Sequence, residues 1–419
     1  MSGTLLILAI LLFAILGVPL FAVMGFAALG AFLVAQTDIS AVAVEIYRLS
    51  NAPTLLTIPL FTFAGYMMAE SGSPRRLLRL AESALGWLPG GVAIVSLVVC
   101  AFFTAFTGAS GITIIALGGL LYPILVSEKY PEKFSLGLIT TSGSLGLLFP
   151  PSLPIILYGI VAKVDIEELF KAGILPGILL IVILSAWSIK KATLSTTRHP
   201  FSLSKLIAAM KGSIFEMLLP VGVLVGIYGG YTTVTEAASF TALYVLILEC
   251  FIYRDIKLRE LPKVIGDSMA LVGAILMVLC CALGVTNYLV DEEVPMLILE
   301  LMRTLFTNKY VFLIFLNIFL LVVGSLMDIF SAIIVVVPLI VPIASDFGIH
   351  PIHLAIIFLT NLEIGYITPP VGINLFISSF RFKKSVVHLY LASFPFLLLM
   401  LVALIIITYV PILSLAWVD

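Results

Sequence analysis

Two short stretches hold residues whose types and spacing could do chemistry: Leu145-Gly146-Leu147-Leu148-Phe149-Pro150-Pro151 and Ile364-Gly365-Tyr366-Ile367-Thr368-Pro369-Pro370. Neither can be continuous helix. Adjacent prolines remove two backbone donors, clash with the preceding turn and push the residue before them out of the helical region. Carbonyls released in this way need partners, and within a bilayer such backbone is tolerated only where it lines a cavity or coordinates something. Together with the hydroxyls of Thr107, Ser110, Ser144 and Thr368, these carbonyls form a set of hard oxygen donors suited to a small cation. The helices that restart at Ser152 and Gly372 would offer free N–H groups to an anion. A cation site beside an anion site is the arrangement of a symporter. The plainer reading, kinks that serve packing only, loses weight because the pattern occurs twice in register.

Asp328 is the sharpest single residue, a carboxylate inside an apolar stretch and so a functional candidate by position. Its plainer role is an acceptor that ties down a chain reversal. Glu363 and Glu236 are further acidic candidates, with Glu236 in the run TVTEAAS reading as a helix cap. His350 and His353 in HPIH have no cysteine or carboxylate to complete a metal site, and Cys100, Cys250, Cys280 and Cys281 all lie in apolar runs, which is core usage. No arginine or lysine falls near the two breaks, so an anion held there depends on backbone dipoles and hydroxyls. Neither an intramembrane catalytic set nor a phosphate-binding loop is apparent. The sequence therefore reads as a non-enzyme that needs no cofactor beyond a coupling ion.

The elements that must position these residues are membrane helices. Of the 419 residues, 62% are hydrophobic and 11% charged, and the mean hydropathy is +1.24. Soluble domains carry about 25% charged residues, so lipid must be the outer solvent. The apolar runs are continuous rather than alternating, which selects helices over a barrel. The N-terminal apolar run from Leu5 to Ala35 lacks a basic leader and a small-residue cleavage site, and reads as a retained membrane segment.

The chain also repeats itself. Pro123 matches Pro342, Pro150 matches Pro369, Pro151 matches Pro370 and Pro176 matches Pro395, each pair 219 apart (342 minus 123). Chance would give roughly half a proline match over this overlap. Basic residues follow the run Lys171–Ile189, as Lys190 and Lys191, but precede its partner Tyr390–Val410, as Arg381, Lys383 and Lys384. By the positive-inside rule the copies cross in opposite directions, an inverted repeat. The expected division is 1–211 and 212–419. Each half should carry a re-entrant hairpin (about 91–126 and 311–344) and a broken transmembrane helix (about 132–163 and 352–380). The first hairpin is interrupted at FTGASG, leaving arms of about fifteen residues or about 22 Å, short of a ~30 Å core. The loop from Lys190 to Lys211 is expected in the cytoplasm, and Asp419 on the opposite side. The fold class is thus an all-α polytopic membrane protein with inverted repeats, two re-entrant hairpins and two broken helices.

At these residues the sequence resembles the large membrane subunit of the tripartite ATP-independent periplasmic (TRAP) transporters. The resemblance runs through NAPTLLTIPLFTFAGYMMAESG, GWLPGG, FTGASGITIIALGG, SLGLLFPPSLPIILYG, TVTEAAS and ITPPVGINLF, which cover nearly the whole chain in the family's order. It implies an elevator-type secondary transporter in the bacterial inner membrane, coupled to sodium. It also implies a separate small four-helix membrane subunit and a periplasmic binding protein that delivers a small carboxylate, most often a C4-dicarboxylate. The expected sodium sites lie around Thr107, Ala109, Ser110, Gly143 and Pro150, and around Gly324, Asp328, Gly365, Thr368 and Pro369. Substrate is expected at Ser110, Ser152, Gly372 and Asn374. The family's first hairpin tip is commonly Ser-Gly-Ser-Ser, whereas here it reads Thr107-Gly108-Ala109-Ser110, so Ala109 could contribute only its carbonyl. The moving block would comprise hairpins and broken helices, and the scaffold the segments Leu5–Ala35 and Ile214–Ile252. A stand-alone sodium–anion symporter and a channel are the competing readings.

Overall fold

The polar interruptions read from the sequence fall at helix ends. The computed structural model describes residues 16–35, 51–192, 201–306 and 308–418 without interruption, with scattered positions before residue 51. Asp419, part of the 190–211 loop and much of the segment before residue 16 lie outside the described residues. The first half runs α1 (Leu20–Val34), α2 (Thr57–Glu70), α3 (Ser73–Leu85), α4 (Gly91–Thr107), α5 (Ser110–Ala116), α6 (Gly118–Ser127), α7 (Glu132–Ser142), α8 (Leu153–Ala162) and α9 (Ile166–Ala192). The second half runs α10 (Leu203–Gly212), α11 (Ile214–Tyr228), α12 (Val234–Ile247), α13 (Leu261–Asp291), α14 (Val294–Leu305), α15 (Lys309–Leu326), α16 (Ile329–Asp346), α17 (Pro351–Gly365), α18 (Ile373–Phe382), α19 (Val386–Tyr409) and α20 (Ile412–Leu415). No strand occurs among the described residues. Among the described residues six helices are long and apolar enough to cross a membrane, or up to nine if each bent pair is one span.

The repeat is visible element by element: α4 answers to α15, α7 to α17, α8 to α18 and α9 to α19. The first hairpin is α4, a tip at Gly108-Ala109, and α5 with α6, the last two bent by 50°. Arg381 Nε donates to the Ile115 carbonyl beside that bend at 3.1 Å. The second hairpin is α15, a tip at Met327-Asp328, and α16. Its arms have 18 residues each, longer than the first hairpin's, and at about 27 Å they approach the thickness of the hydrocarbon core. Length alone therefore does not mark the second hairpin as re-entrant, since each arm is long and apolar enough to cross; its tip packs on the second break. The first broken helix bends by 45° between Glu132–Leu148 and α8.

Two layers result. In one, α1 lies along α13, and α2 packs on α12 and α13. In the other, α7 packs on α19, α15 on α17, α8 on α16 and α5 on α18, so the halves interlock. Aromatic pairs sit at this seam: Tyr158 meets Phe358 at 5.8 Å between centroids, and Phe134 meets Phe396 at 5.5 Å. Both spacings suit tilted ring packing.

The amphipathic α3 is fastened to the second half at its start. The Arg76 guanidinium bonds Glu216, Glu249 and Asp255 and lies 3.8 Å from the Tyr253 ring centroid. Ser73 donates to Glu249 at 2.9 Å and Tyr253 to Glu216 at 2.9 Å. Because Glu216 and Glu249 are fully buried, their charges require this satisfied network. At Asp255, partial burial works upward, but the Arg76 guanidinium and the Gly72 N–H outweigh it and hold the carboxyl below its ordinary value.

Candidate functional site

Helix α4 ends because Gly108 turns left-handed (φ 64°) and Ala109 is extended. Glycine takes that φ without steric cost, and a Cβ there would strike Leu153 at the start of α8. The first tip is thereby seated on the first break. Thr107 is fully buried and its hydroxyl has no hydrogen-bond partner, which fits an oxygen reserved for a ligand. Ser110 opens α5 and is buried. The Gly143 carbonyl accepts from Thr104 at 2.9 Å, and Thr104 pairs with Thr113 at 2.7 Å. Gly143 itself packs against Ile114 and the Ser110 carbonyl.

At the first break the Pro150-Pro151 bond is cis. Ser152, expected to face substrate, donates its hydroxyl to the Leu147 carbonyl at 2.6 Å. One carbonyl released by the prolines is thus satisfied within the break itself. Ser144 likewise bonds the Thr141 carbonyl at 3.3 Å.

The second tip is held differently. Asp328 caps α16, with Oδ1 accepting from Phe330 and Ser331 N–H at 3.0 Å each and Oδ2 accepting from the Ser331 hydroxyl at 2.5 Å. This is the plainer of the two roles weighed for it. An ionised carboxylate has about four acceptor positions, so Oδ2 retains capacity for a cation. Tyr366 Oη accepts from Ile329 N–H at 2.9 Å, tying the tip to the second break. Gly324 and Gly365 meet backbone to backbone, and a Cβ on Gly365 would lie inside van der Waals contact with Gly324.

The Pro369-Pro370 bond is also cis, and Gly372 is left-handed at φ 56°. Its N–H donates to the Ser325 carbonyl at 3.2 Å, and Asn374 N–H donates to the Tyr366 carbonyl at 3.0 Å. The carbonyls of Tyr366 and Thr368 both lie close to Gly372. The Thr368 hydroxyl bonds the Ile364 carbonyl at 2.8 Å.

The halves touch through polar groups. Asn374 Nδ2 donates to the Thr140 carbonyl at 3.2 Å, while Asn374 Oδ1 is buried without a partner. The Thr140 hydroxyl donates to Ser378 at 2.9 Å. Thr104, Thr113, Thr140, Ser378 and Tyr366 went unremarked in the sequence. Hydroxyls three residues apart on apolar helices, such as Thr104 with Thr107 and Ser110 with Thr113, were the available signal. Glu363 is fully buried with neither oxygen hydrogen-bonded. Glu236 forms the capping box expected of it with Thr233. His350 caps α17, and His353 points instead to Ser414 at 2.6 Å.

Comparison with known proteins accords with this architecture. Residues 6–413 match the DctM component of the tripartite ATP-independent periplasmic transporters. The chain is 35% identical over 391 residues to the C4-dicarboxylate TRAP transporter large permease protein DctM of Pseudomonas aeruginosa, covering 93% of this chain and 92% of that one. It is 35% identical over 404 residues to the isethionate TRAP transporter permease protein DctMQ of Oleidesulfovibrio alaskensis, covering 96% of this chain and spanning only 64% of that longer protein. The sialic acid TRAP transporter large permease SiaM of Vibrio cholerae is 30% identical over 331 residues, 78% of this chain and 77% of that one. Among solved structures, the YdaH transporter of Alcanivorax borkumensis superposes with a TM-score of 0.62 at 12% identity, covering 90% of this chain and 88% of that one, a likeness of fold alone. The chain is a multi-pass membrane protein and belongs to the DctM family, the large permease component of TRAP transporters.

Proposed function

We propose that this chain carries a small organic carboxylate, a C4-dicarboxylate first among them, across the bacterial inner membrane by sodium symport. A periplasmic binding protein delivers the substrate, and a small four-helix membrane subunit completes the assembly. The chain divides near residues 211 and 212 into two inverted repeats, with scaffold and transport parts interleaved. The observation that carries this reading is the pairing of each hairpin tip with a proline break, with the buried Thr107 hydroxyl lacking a partner and the Asp328 carboxylate at the two tips. Sodium sits at the Thr107, Ala109, Ser110, Gly143 and Pro150 group, and at the Gly324, Asp328, Gly365, Thr368 and Pro369 group. Substrate lies between them, near Ser110, Ser152, Gly372 and Asn374. Relatives named for C4-dicarboxylate, isethionate and sialic acid support an acidic substrate class.

Reconstituted uptake tests the reading. Accumulation of radiolabelled succinate should require both a sodium gradient and the cognate binding protein. Uptake that ignores the binding protein points to a stand-alone symporter, and gradient-independent flux to a channel. For the elevator movement, cross-links joining the 214–252 segment to the hairpin arms should arrest transport. Links within the block, between the 111–126 and 152–160 segments, should leave transport largely intact. The opposite outcome replaces the elevator with local gating.

A further inference from the structure

Helix α5 has only seven residues, too few to hold its own direction. It joins α6 through the 50° bend at Leu117, beside the pair Gly118-Gly119, the kind of place where helices kink. Among the described residues no backbone N–H of α6 reaches the Ile115 carbonyl across that bend. What aims α5, and with it Ser110 at its start, must therefore come from outside the hairpin. It comes from α18 in the other half, which packs on α5. Ile377 covers Gly111, Phe382 covers Gly118 and the Arg381 guanidinium covers Gly119, so that a Cβ at any of the three would meet the side chain above it. Arg381 Nε donates to the free Ile115 carbonyl at 3.1 Å. Arg381 forms no ion pair among the described residues; this carbonyl and the glycine beneath the guanidinium fix its place.

The packing of two such helices does not by itself demand this device. In the other copy α8 packs on α16, yet the 219-residue register puts Phe330, Val337 and Pro338 where Gly111, Gly118 and Gly119 stand (330 minus 111, 337 minus 118 and 338 minus 119), and Ala162 where Arg381 stands (381 minus 162). The second arm there is one unbroken helix. The far end of α18 lies in the expected substrate group. Asn374 and Arg381 are seven residues apart, two turns along one face and about 10 Å along the axis. That face lies on the first half throughout, with Asn374 on the Thr140 carbonyl and Ser378 on the Thr140 hydroxyl between the two ends.

We propose that α18 is the lever that couples substrate to the first sodium group, and that Arg381 is the positioning residue by which it grips α5. The proposal rests on the transport reading. Substrate at Gly372 and Asn374 fixes the start of α18, and the grip at its other end carries that placement to α5 and so to Ser110. Arg381 touches neither ion nor substrate. Coupling of this kind is reciprocal: substrate tightens sodium at the first group as much as sodium tightens substrate.

Two measurements decide it. The purified complex of this chain with its small membrane subunit is melted over a series of sodium chloride concentrations, with choline chloride holding ionic strength constant, in the presence and absence of excess succinate. In the parent, succinate should lower the half-stabilising sodium concentration about fivefold. Arg381→Met keeps the apolar stem and loses the donor, and should bring that ratio close to one. Gly119→Ala sets a methyl where the guanidinium lies and should act alike; because alanine favours helix over glycine, it guards against a folding artefact. The double variant should be no worse than either alone, and Arg381→Lys, which keeps a donor, should retain at least half of the shift. A merely structural role would lower the melting temperature without ligand and leave the ratio as it was. A ratio unchanged in Arg381→Met and Gly119→Ala, or a parent whose sodium requirement ignores succinate, overturns the lever. In the second measurement, amide hydrogen exchange over residues 113–117 of the ligand-free complex should quicken several-fold in Arg381→Met and Gly119→Ala; unchanged exchange overturns the grip. A parent complex that neither sodium nor succinate stabilises counts against the transport reading instead, and the exchange still decides the grip.

Discussion

The two hairpin tips occupy matching places in the repeat and solve the same problem with different chemistry. At the first, a left-handed glycine turns the chain, a hydroxyl is buried without a partner, and the second arm bends by 50°. At the second, an aspartate caps the returning helix, both its oxygens are engaged, and the arms are unbroken helices of 18 residues. The breaks differ in the same sense. Ser152 uses a side chain to satisfy a released carbonyl, whereas at the second break the Tyr366 carbonyl is satisfied by the backbone N–H of Asn374. Duplicated architecture fixes where the chain must break, and each copy is free to choose which atoms repair the damage. The first tip keeps neutral oxygen in reserve, while the second spends a charge on its own order.

The largest expected contrast lies at the glycines behind the tips. In Gly365→Ala the new methyl meets the Gly324 backbone, which cannot yield, while in Gly143→Ala it meets the Ile114 side chain, which can. Overpacking at the first should cost about 3 kcal/mol and at the second about 1 kcal/mol. Melting of the purified variants in detergent measures both, and a reversed order would break the contrast between a glycine packed on backbone and one packed on a side chain.

Asp328 sharpens it next. Asp328→Ala should lose about 1 kcal/mol with its cap, but Asp328→Asn should keep stability within a few tenths, because asparagine caps as well as aspartate. The sodium concentration for half-maximal uptake should nevertheless rise in Asp328→Asn. If it does not, the carboxylate is a cap alone and the second sodium group needs a different charge.

Smaller effects follow from the hydroxyls. Ser110→Ala, Thr368→Ala and Thr107→Val should each raise the sodium requirement about fivefold, the equivalent of about 1 kcal/mol. Thr107→Val should not lower the melting temperature, since it removes a buried oxygen that has no hydrogen-bond partner. Wild-type sodium dependence in Ser110→Ala and Thr107→Val removes the first group from the ion site, and in Thr368→Ala it removes that hydroxyl from the second. The smallest effect should be at Glu236→Gln, where glutamine still completes a capping box; stability should move by a few tenths of a kcal/mol and uptake not at all.

Prolines and glycines made much of this legible in the sequence, because their backbone constraints survive any tertiary context. The breaks at Pro150 and Pro369, the tip at Gly108 and the cap at Glu236 stand where local rules put them. Contacts between the halves were not legible. The pairing of Thr140 with Ser378, and of Asn374 with Thr140, follows neither the repeat register nor a helical spacing, so only the folded arrangement reveals it. The arm lengths of the second hairpin were also hidden, since an apolar run of that length serves a span and a hairpin arm equally well. Left-handed lysines at 163 and 383 run against residue preference and gave no local sign.

The network at the start of α3 has a consequence for the order in which the protein can be made. Arg76 emerges from the ribosome long before Glu249 and Asp255, which follow it by 173 and 179 residues. Until they arrive, the helix that leads into the first hairpin has only Glu216 of this network to hold it. Ser378 reaches Thr140 only after another 238 residues of synthesis. The first half must therefore wait in the membrane as an unfinished piece, with its arm loose at one end and a polar seam uncovered at the other. The last-made helices close both the molecule and the site, so a chain truncated within α18 would leave the first half inserted but unable to settle.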